Sequence, residues 1–220
     1  MSNADGLLMG NPPFQIILYG AKHSGKSVLL KYLTWHYRNH FAYIVVFCGT
    51  SDVNESYSYL PSKYVYSEYK PEVLRNIIEK QSKFKKQGKN VQALVIWDDC
   101  LGAGFDWRKE KDSELVKLAS SNRHYNISIA ISTQSPRMIP PIFRANVDFA
   151  FVFRNLHQAV EALYEILAPM PKKQWVEFVK TNTANYKIIM FSAREPSIDR
   201  MLSIFSIPAA FLDKTFKLLY

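Results

Sequence analysis

Gly20, Ala21, Lys22, His23, Ser24, Gly25, Lys26 and Ser27 spell G-x-x-x-x-G-K-S, a loop whose chemistry is the holding of phosphate. Backbone N–H groups of such a loop, and of the helix it opens, converge on an anion. A lysine placed as Lys26 is reaches the β- and γ-phosphates, and the Ser27 hydroxyl helps to hold Mg²⁺. The expected cofactor pair is ATP and Mg²⁺. The motif has this meaning only between a strand and a helix. Here an apolar run at 14–19 precedes it and a helical pattern over about 26–39 follows. The chain has only 8 glycines, so an ordinary glycine turn with this spacing is hard to obtain by chance.

A second set of chemistry-bearing residues lies downstream. Val91 to Trp97 is apolar and ends in Asp98 and Asp99, the form of a Walker B element. Asp98 would bind Mg²⁺ through its water shell. Asp99 stands where an acid orients or deprotonates the attacking water. An apolar strand ending in two aspartates is a weak signal alone and a strong one after a phosphate loop. Asp99 to Gly102 also fits the D-x-x-G of GTPases, but the chain has no N/T-K-x-D element for guanine. The run 127–134 ends in Thr133 and Gln134. Gln134 either senses the γ-phosphate and the attacking water or merely caps its strand. Arg123 and Arg144 are candidate arginine fingers for a neighbouring subunit's site, with surface ion pairing as the alternative for each; Arg154 is a third candidate.

These residues need a scaffold. Apolar, β-branched and aromatic runs occur at 14–19, 43–48, 91–97, 127–133, 149–153 and 186–191. Most are continuous rather than alternating, which predicts strands buried on both faces. Helical patterns lie between them at about 26–39, 71–87, 111–122, 156–168 and 171–180. Pro71 suits a first helical position, and Pro169 and Pro171 end one helix and start the next. Strands separated by helices predict an α/β fold: a P-loop NTPase of the ASCE type, with a mainly parallel central sheet and helices on both faces. Ligands of such sheets bind at the carboxyl ends of the strands.

The chain of 220 residues suffices for one sizeable domain. Residues 1–13 read as an N-terminal extension in which Ser2-Asn3-Ala4 resembles a tag remnant, 14–192 as the ATPase domain, and 193–220 as a tail packing on the domain or on a neighbouring subunit. A net charge of +9, from 28 basic against 19 acidic residues, suits a polyanionic partner, or else lysine that solubilises the surface. No apolar run approaches the ~20 residues of a membrane span, and no signal-peptide pattern opens the chain. The expectation is an intracellular protein, not a secreted one. Cys48 and Cys100 read as reduced and structural. Tyr57, Tyr59, Tyr64, Tyr66 and Tyr69 either cover core edges or stack on bases. The glycine-containing loop with Trp107, Arg108 and Lys109 is a candidate DNA contact, because it follows the Asp98–Asp99 strand and could move with the nucleotide. Lys80, Lys83, Lys85, Lys86 and Lys89 form a second basic cluster that reads mostly as solvated surface.

Taken in order, residues 20–27, Ile96-Trp97-Asp98-Asp99, Ser121-Asn122-Arg123-His124, Ser132-Thr133-Gln134 and the stretch Ile142 to Asp148 resemble the viral genome-packaging ATPases. The branch is the poxvirus type, within the FtsK–HerA superfamily of DNA pumps. The resemblance spans roughly residues 14–155. It implies a homo-oligomeric ring, a pentamer or hexamer, that hydrolyses ATP to drive double-stranded DNA into a preformed capsid. It also implies a capsid or membrane vertex as docking partner, and a location in the virion or in the cytoplasm or virus factory of the host cell. Lys26 and Ser27 then serve phosphate and Mg²⁺, Asp98 and Asp99 form the Walker B pair, Gln134 is the sensor, and Arg144 is the better match to an arginine acting in trans. Lys22 and His23 depart from the small residues usual there. Two other readings remain: a cellular or conjugative DNA translocase, and a nucleotide-gated assembly switch with little turnover.

Overall fold

The structure, a computed structural model, describes residues 9–49, 56–100 and 114–219. Among the described residues eight strands form one sheet: β1 (Gln15–Tyr19), β2 (Tyr43–Cys48), β3 (Val65–Tyr66), β4 (Ala93–Asp98), β5 (Ile127–Thr133), β6 (Phe149–Val152), β7 (Ile188–Ser192) and β8 (Leu202–Phe205). Their spatial order is β3-β2-β4-β5-β1-β6-β7-β8. The first six in that order pair in parallel, and β7 and β8 add antiparallel pairings at one edge. The sheet is thus mainly parallel, as the strand–helix alternation predicts. β5 lies between β1 and β4, so the strand ending in Gln134 separates the phosphate loop from the aspartate pair, and the three strands end side by side.

Every residue of β1, β2, β4, β5 and β6 is buried, which is why their sequences run apolar without alternation. Successive side chains still point to opposite faces. On one face Ile17, Val95, Trp97 and Ile129 meet the helices α2 (Pro71–Lys86), α3 (Glu114–Ser121), α5 (His157–Leu167) and α6 (Lys172–Asn182). The short α4 (Pro141–Ala145) joins them through Phe143. The other face, with Ile16, Leu18, Ile96 and Phe151, is covered by α1 (Lys26–His36). One helix is too narrow for that face. Tyr57, Tyr59 and Leu60 cover part of the rest, and the chain after Ser192 adds β8, two short helices, α7 (Ile198–Met201) and α8 (Ala209–Leu212), and the buried rings of Phe205 and Phe211. Phe211 lies against Tyr32 and Trp35 of α1, at ring-centroid distances of 5.0 and 5.6 Å.

Local signals explain the element ends. α2 starts with Pro71 and Glu72 and finishes with Lys83, Lys85 and Lys86 before Gly88, whose φ of 69° suits the turn out of the helix. β4 runs one residue further than the sequence suggests and takes in Asp98. The sheet likewise continues past Ser192, because β8 pairs with β7 from Ile188↔Phe205 to Phe191↔Leu202.

Candidate functional site

The phosphate loop leaves β1 at Gly20 and enters α1 at Lys26. Two of its glycines are required by geometry. A Cβ at Gly20 would lie 2.4 Å from Ser24 Oγ and 2.8 Å from Phe153 Cβ, so only glycine fits. Gly25 has φ 102°, in the left-handed region that other residues rarely occupy. His23 also has positive φ, 59°. Lys22 and His23, which depart from the usual small residues, are both exposed at the loop's rim.

Lys26 is buried, and its Nζ donates to the carbonyls of Gly20 (2.9 Å) and Ala21 (3.0 Å). Burial lowers its pKa from the ordinary lysine value, and the charges of Asp99 and then Asp98 oppose that shift. Among the described residues the lysine thus has carbonyl partners but no anion in bonding contact, which leaves it able to accept a phosphate. Ser24 Oγ, also buried, has no hydrogen-bond partner among the described residues. A desolvated ammonium beside an unsatisfied hydroxyl is an expensive arrangement unless a ligand completes it.

Asp98 and Asp99 arrive from β4. Asp98 Oδ2 accepts from Ser27 Oγ at 3.2 Å and from the hydroxyl of Tyr57 at 2.7 Å. Asp99 sits just past the strand at φ 51°, and its Oδ2 accepts from Gln134 Nε2 at 3.0 Å. Three parallel strands therefore bring together Lys26, Ser27, Asp98, Asp99 and Gln134. The oxygen donors of Ser27 and Asp98 are the kind that Mg²⁺ takes, with waters completing its shell, so the residues present fit that ion. Cys100 beside them is a buried thiol whose pKa burial pushes up to about 12; its Sγ donates to Phe47 O at 2.9 Å, so it is unreactive packing.

The arginines are placed differently. Arg123 donates from Nη2 to Asp148 Oδ1, at the amino ends of the strands, away from the phosphate loop. Asp148 is buried and also accepts from Arg194 Nε (2.9 Å) and from the backbone N–H of Gln15 (2.7 Å). Arg123 is thus one arm of an ion cluster that ties β1, β5, β6 and the end of β7. Arg144, on α4, is half-buried and makes no side-chain hydrogen bond or ion pair among the described residues; its charge is felt at the hydroxyl of Tyr19, the last residue of β1. Arg154 is exposed directly after β6, where its carbonyl accepts from Ala21 N at 3.0 Å. Trp107, Arg108 and Lys109 lie outside the described residues.

A cavity of about 910 Å³ opens over the phosphate loop. It is lined by residues 22–27, Asp98 and Asp99, and by an apolar wall of Phe153, Tyr186, Ile207 and Leu212, of which the first two stand over Gly25. That volume lies at the upper end of the ~300–1,000 Å³ usual for small-molecule sites. Two contributors were not legible from the sequence as parts of this site. Tyr57 belongs to a tyrosine-rich stretch in which nothing marks one phenol as the partner of an aspartate. The residues after Ser192 carry no motif; their apolar spacing alone could have pointed to a wall.

Among the described residues no helix is long and apolar enough to cross a membrane. The model of the Poxvirus A32 protein family matches residues 5–194. An uncharacterized protein of Acanthamoeba polyphaga mimivirus is 29% identical over 195 residues, covering 83% of this chain and 68% of its own length. One of Frog virus 3 is 28% identical over 178 residues, covering 79% of this chain and 54% of its own. The chain thus spans between about half and two thirds of these relatives. In fold it is similar to the genome packaging NTPase B204 from Sulfolobus turreted icosahedral virus 2, solved in complex with ATP-gammaS, with a TM-score of 0.65. That likeness covers 90% of this chain and 98% of the other at 22% identity.

Proposed function

The chain belongs to the Poxvirus A32 protein family, and from that premise we propose that it is an ATP-hydrolysing motor that translocates double-stranded DNA into a viral capsid. The observation that carries the ATPase part is the meeting of Ser27 with Asp98 at 3.2 Å and of Gln134 with Asp99 at 3.0 Å, beside a buried lysine whose bonding partners among the described residues are carbonyls. The packaging part rests on the family and on the likeness in fold to a genome packaging NTPase.

In this reading Lys26 exchanges its carbonyl partners for β- and γ-phosphate oxygens. Ser27 and Asp98 would hold Mg²⁺, which supplies charge neutralisation at those phosphates when bound. Asp99 accepts the proton of the attacking water while the bond between the γ-phosphorus and the bridging oxygen breaks, leaving ADP and phosphate. Gln134 holds the Asp99 carboxylate by its Nε2–H and is placed to feel the loss of the γ-phosphate. Arg144, with no ionic partner among the described residues, reaches a neighbouring subunit's site in a ring and neutralises transition-state charge there. The excess of basic residues suits a duplex gripped by its phosphates, without regard to sequence.

The test is the ATPase rate against protein concentration, with and without double-stranded DNA, for wild type and Arg144→Ala. The motor requires a rate that rises more than linearly with protein, is stimulated by DNA, and falls about a thousandfold or more in the variant. A DNA-blind rate, linear in protein and indifferent to Arg144, would reduce the protein to a nucleotide-gated switch.

A further inference from the structure

Large apolar side chains exposed to solvent are scattered on most proteins, but here several share one place. Val28 (40% exposed), Tyr186 (75%) and Leu212 (58%) all line the cavity over the phosphate loop. They come from three separate parts of the chain: the first turn of α1, the segment before β7, and α8. Their convergence on one hollow implies an apolar occupant that covers them.

Tyr186 is held there at a backbone cost. Asn185 and Tyr186 both have positive φ, 53° and 58°, and neither is glycine. Consecutive residues in that region are strained by roughly 1 kcal/mol or more each, and such strain persists where a site over-determines it. The consequence is positional. A Cβ built on Gly25 would lie 3.9 Å from Tyr186 Cδ1 and 3.8 Å from Phe153 Cε1, so two aromatic rings converge directly above the phosphate loop. Ile207 and Leu212 continue the apolar wall from there, and the segment bearing them is anchored on α1 by Phe211.

From these placements we propose that the apolar wall of the cavity, built by Tyr186 and the segment 206–212, is the nucleobase slot of the ATP site, with the Tyr186 ring as the stacking partner of the purine. This rests on the functional reading above, since it is the phosphates on residues 20–27 that direct the base to this wall. The occupant is a flat aromatic ring rather than a lipid or a peptide. The slot is continuous with the phosphate loop, and the carboxylates of the same cavity face that loop: Asp98 accepts from Ser27, and the charge of Asp99 is felt at Lys26. The chain beyond Ser192 is therefore part of the active site and not an appendage to it.

Titration calorimetry with two ligands tests this: a non-hydrolysable ATP analogue, which has a base, and inorganic tripolyphosphate, which has none, each with Mg²⁺. The proposal expects wild type to prefer the nucleotide, and Tyr186→Ala to weaken nucleotide binding about tenfold while leaving tripolyphosphate binding unchanged. Tyr186→Phe, which keeps the ring, restores the nucleotide affinity. An unchanged ratio between the two ligands in Tyr186→Ala overturns the slot, and so does an equal loss of both, which would mean that the ring acts on the loop. Lys26→Ala separates the two readings: it must weaken both ligands, and if it weakens neither, the phosphate-site reading itself fails whatever Tyr186 does. Because Tyr186 is largely exposed and alanine inherits the same φ, a thermal melt of the variant matching wild type confirms that the fold is intact.

Discussion

The two ends of the parallel sheet handle charge in opposite ways. At the amino ends, the buried Asp148 is saturated by Arg123, Arg194 and the Gln15 N–H, and Arg194 also reaches Pro13 O at 3.0 Å. At the carboxyl ends, Lys26 is buried on two carbonyls, Ser24 Oγ has no partner among the described residues, and His23, Gly25 and Asp99 all stand at positive φ. One end has closed its electrostatics within the chain and so holds the strands together. The other has left them open, and a ligand must close them. Positive charge alone therefore does not mark a functional arginine or lysine in this fold; what matters is whether the chain itself has already supplied the counter-charge.

The sharpest way to break this contrast is at Lys26. Lys26→Met should abolish hydrolysis, by about a thousandfold or more, while leaving the melting temperature unchanged or raising it. The sign follows from the lowered pKa. Below the folded-state pKa both folded and unfolded chains carry the charge, and only the folded one bears its desolvation. As pH rises towards the ordinary lysine value the unfolded chain binds more protons than the folded, so wild-type stability gains on the variant. Melts across alkaline pH that show the gap widening would refute the open-end argument. Next in size, Asp99→Asn should lower turnover by about a hundredfold to ten-thousandfold with nucleotide affinity retained, as read by single-turnover assays beside calorimetry.

The amino end predicts the reverse pattern. Asp148→Ala removes the counter-charge of two arginines and leaves the Gln15 N–H without its acceptor, a loss of about 2–4 kcal/mol after discounting for the exposure of Arg123. Its midpoint should fall by about 5–10 °C, while turnover per folded molecule at low temperature stays at the wild-type value. Arg123→Ala should show the same pattern at smaller size. A large kinetic defect in Arg123→Ala without loss of stability would restore that arginine to the catalytic set.

How legible all this was depends on the range of the interaction. The loop at residues 20–27 and the strand ending in Asp98 and Asp99 are local patterns, and the crossover rule then dictates that they meet at one edge of a parallel sheet. α2 was legible because Pro71 and Gly88 punctuate it. β8 was not: Leu202 to Phe205 is short, at an edge and buried only at Phe205, so it lacks the continuous apolar run that marks the inner strands. For Arg123 the sequence leaves open a finger or a surface ion pair, and nothing in it names the partner, Asp148, that the side chain meets within the chain. Asp148 comes to it only because β1 pairs with both β5 and β6. The positive φ of Asn185 and Tyr186 leaves no trace in residue types, since neither is glycine.

Tyr57 offers the smallest effect and the finest test, because it stands between the two regimes. It is fully enclosed, its pKa is pushed well above the usual tyrosine value by burial first and then by Asp98, and its hydroxyl is a closed internal bond at the open end of the sheet. Both Tyr57 and Ser27 donate to the same oxygen, Asp98 Oδ2, which fixes the rotation of the carboxylate and leaves Oδ1 free of them. The chain's last residues support this segment, since Leu218 N donates to Tyr59 O at 2.8 Å. If Tyr57 positions Asp98 for a hydrated cation, Tyr57→Phe should raise the Mg²⁺ concentration needed for half-maximal ATPase activity by about three- to tenfold. The rate at saturating Mg²⁺ and the tripolyphosphate affinity without metal should change little. A purely structural tyrosine would instead lower the melting temperature and leave the Mg²⁺ dependence where it was, and Tyr57 would then belong with Asp148 among the groups that hold the sheet rather than those that await the ligand.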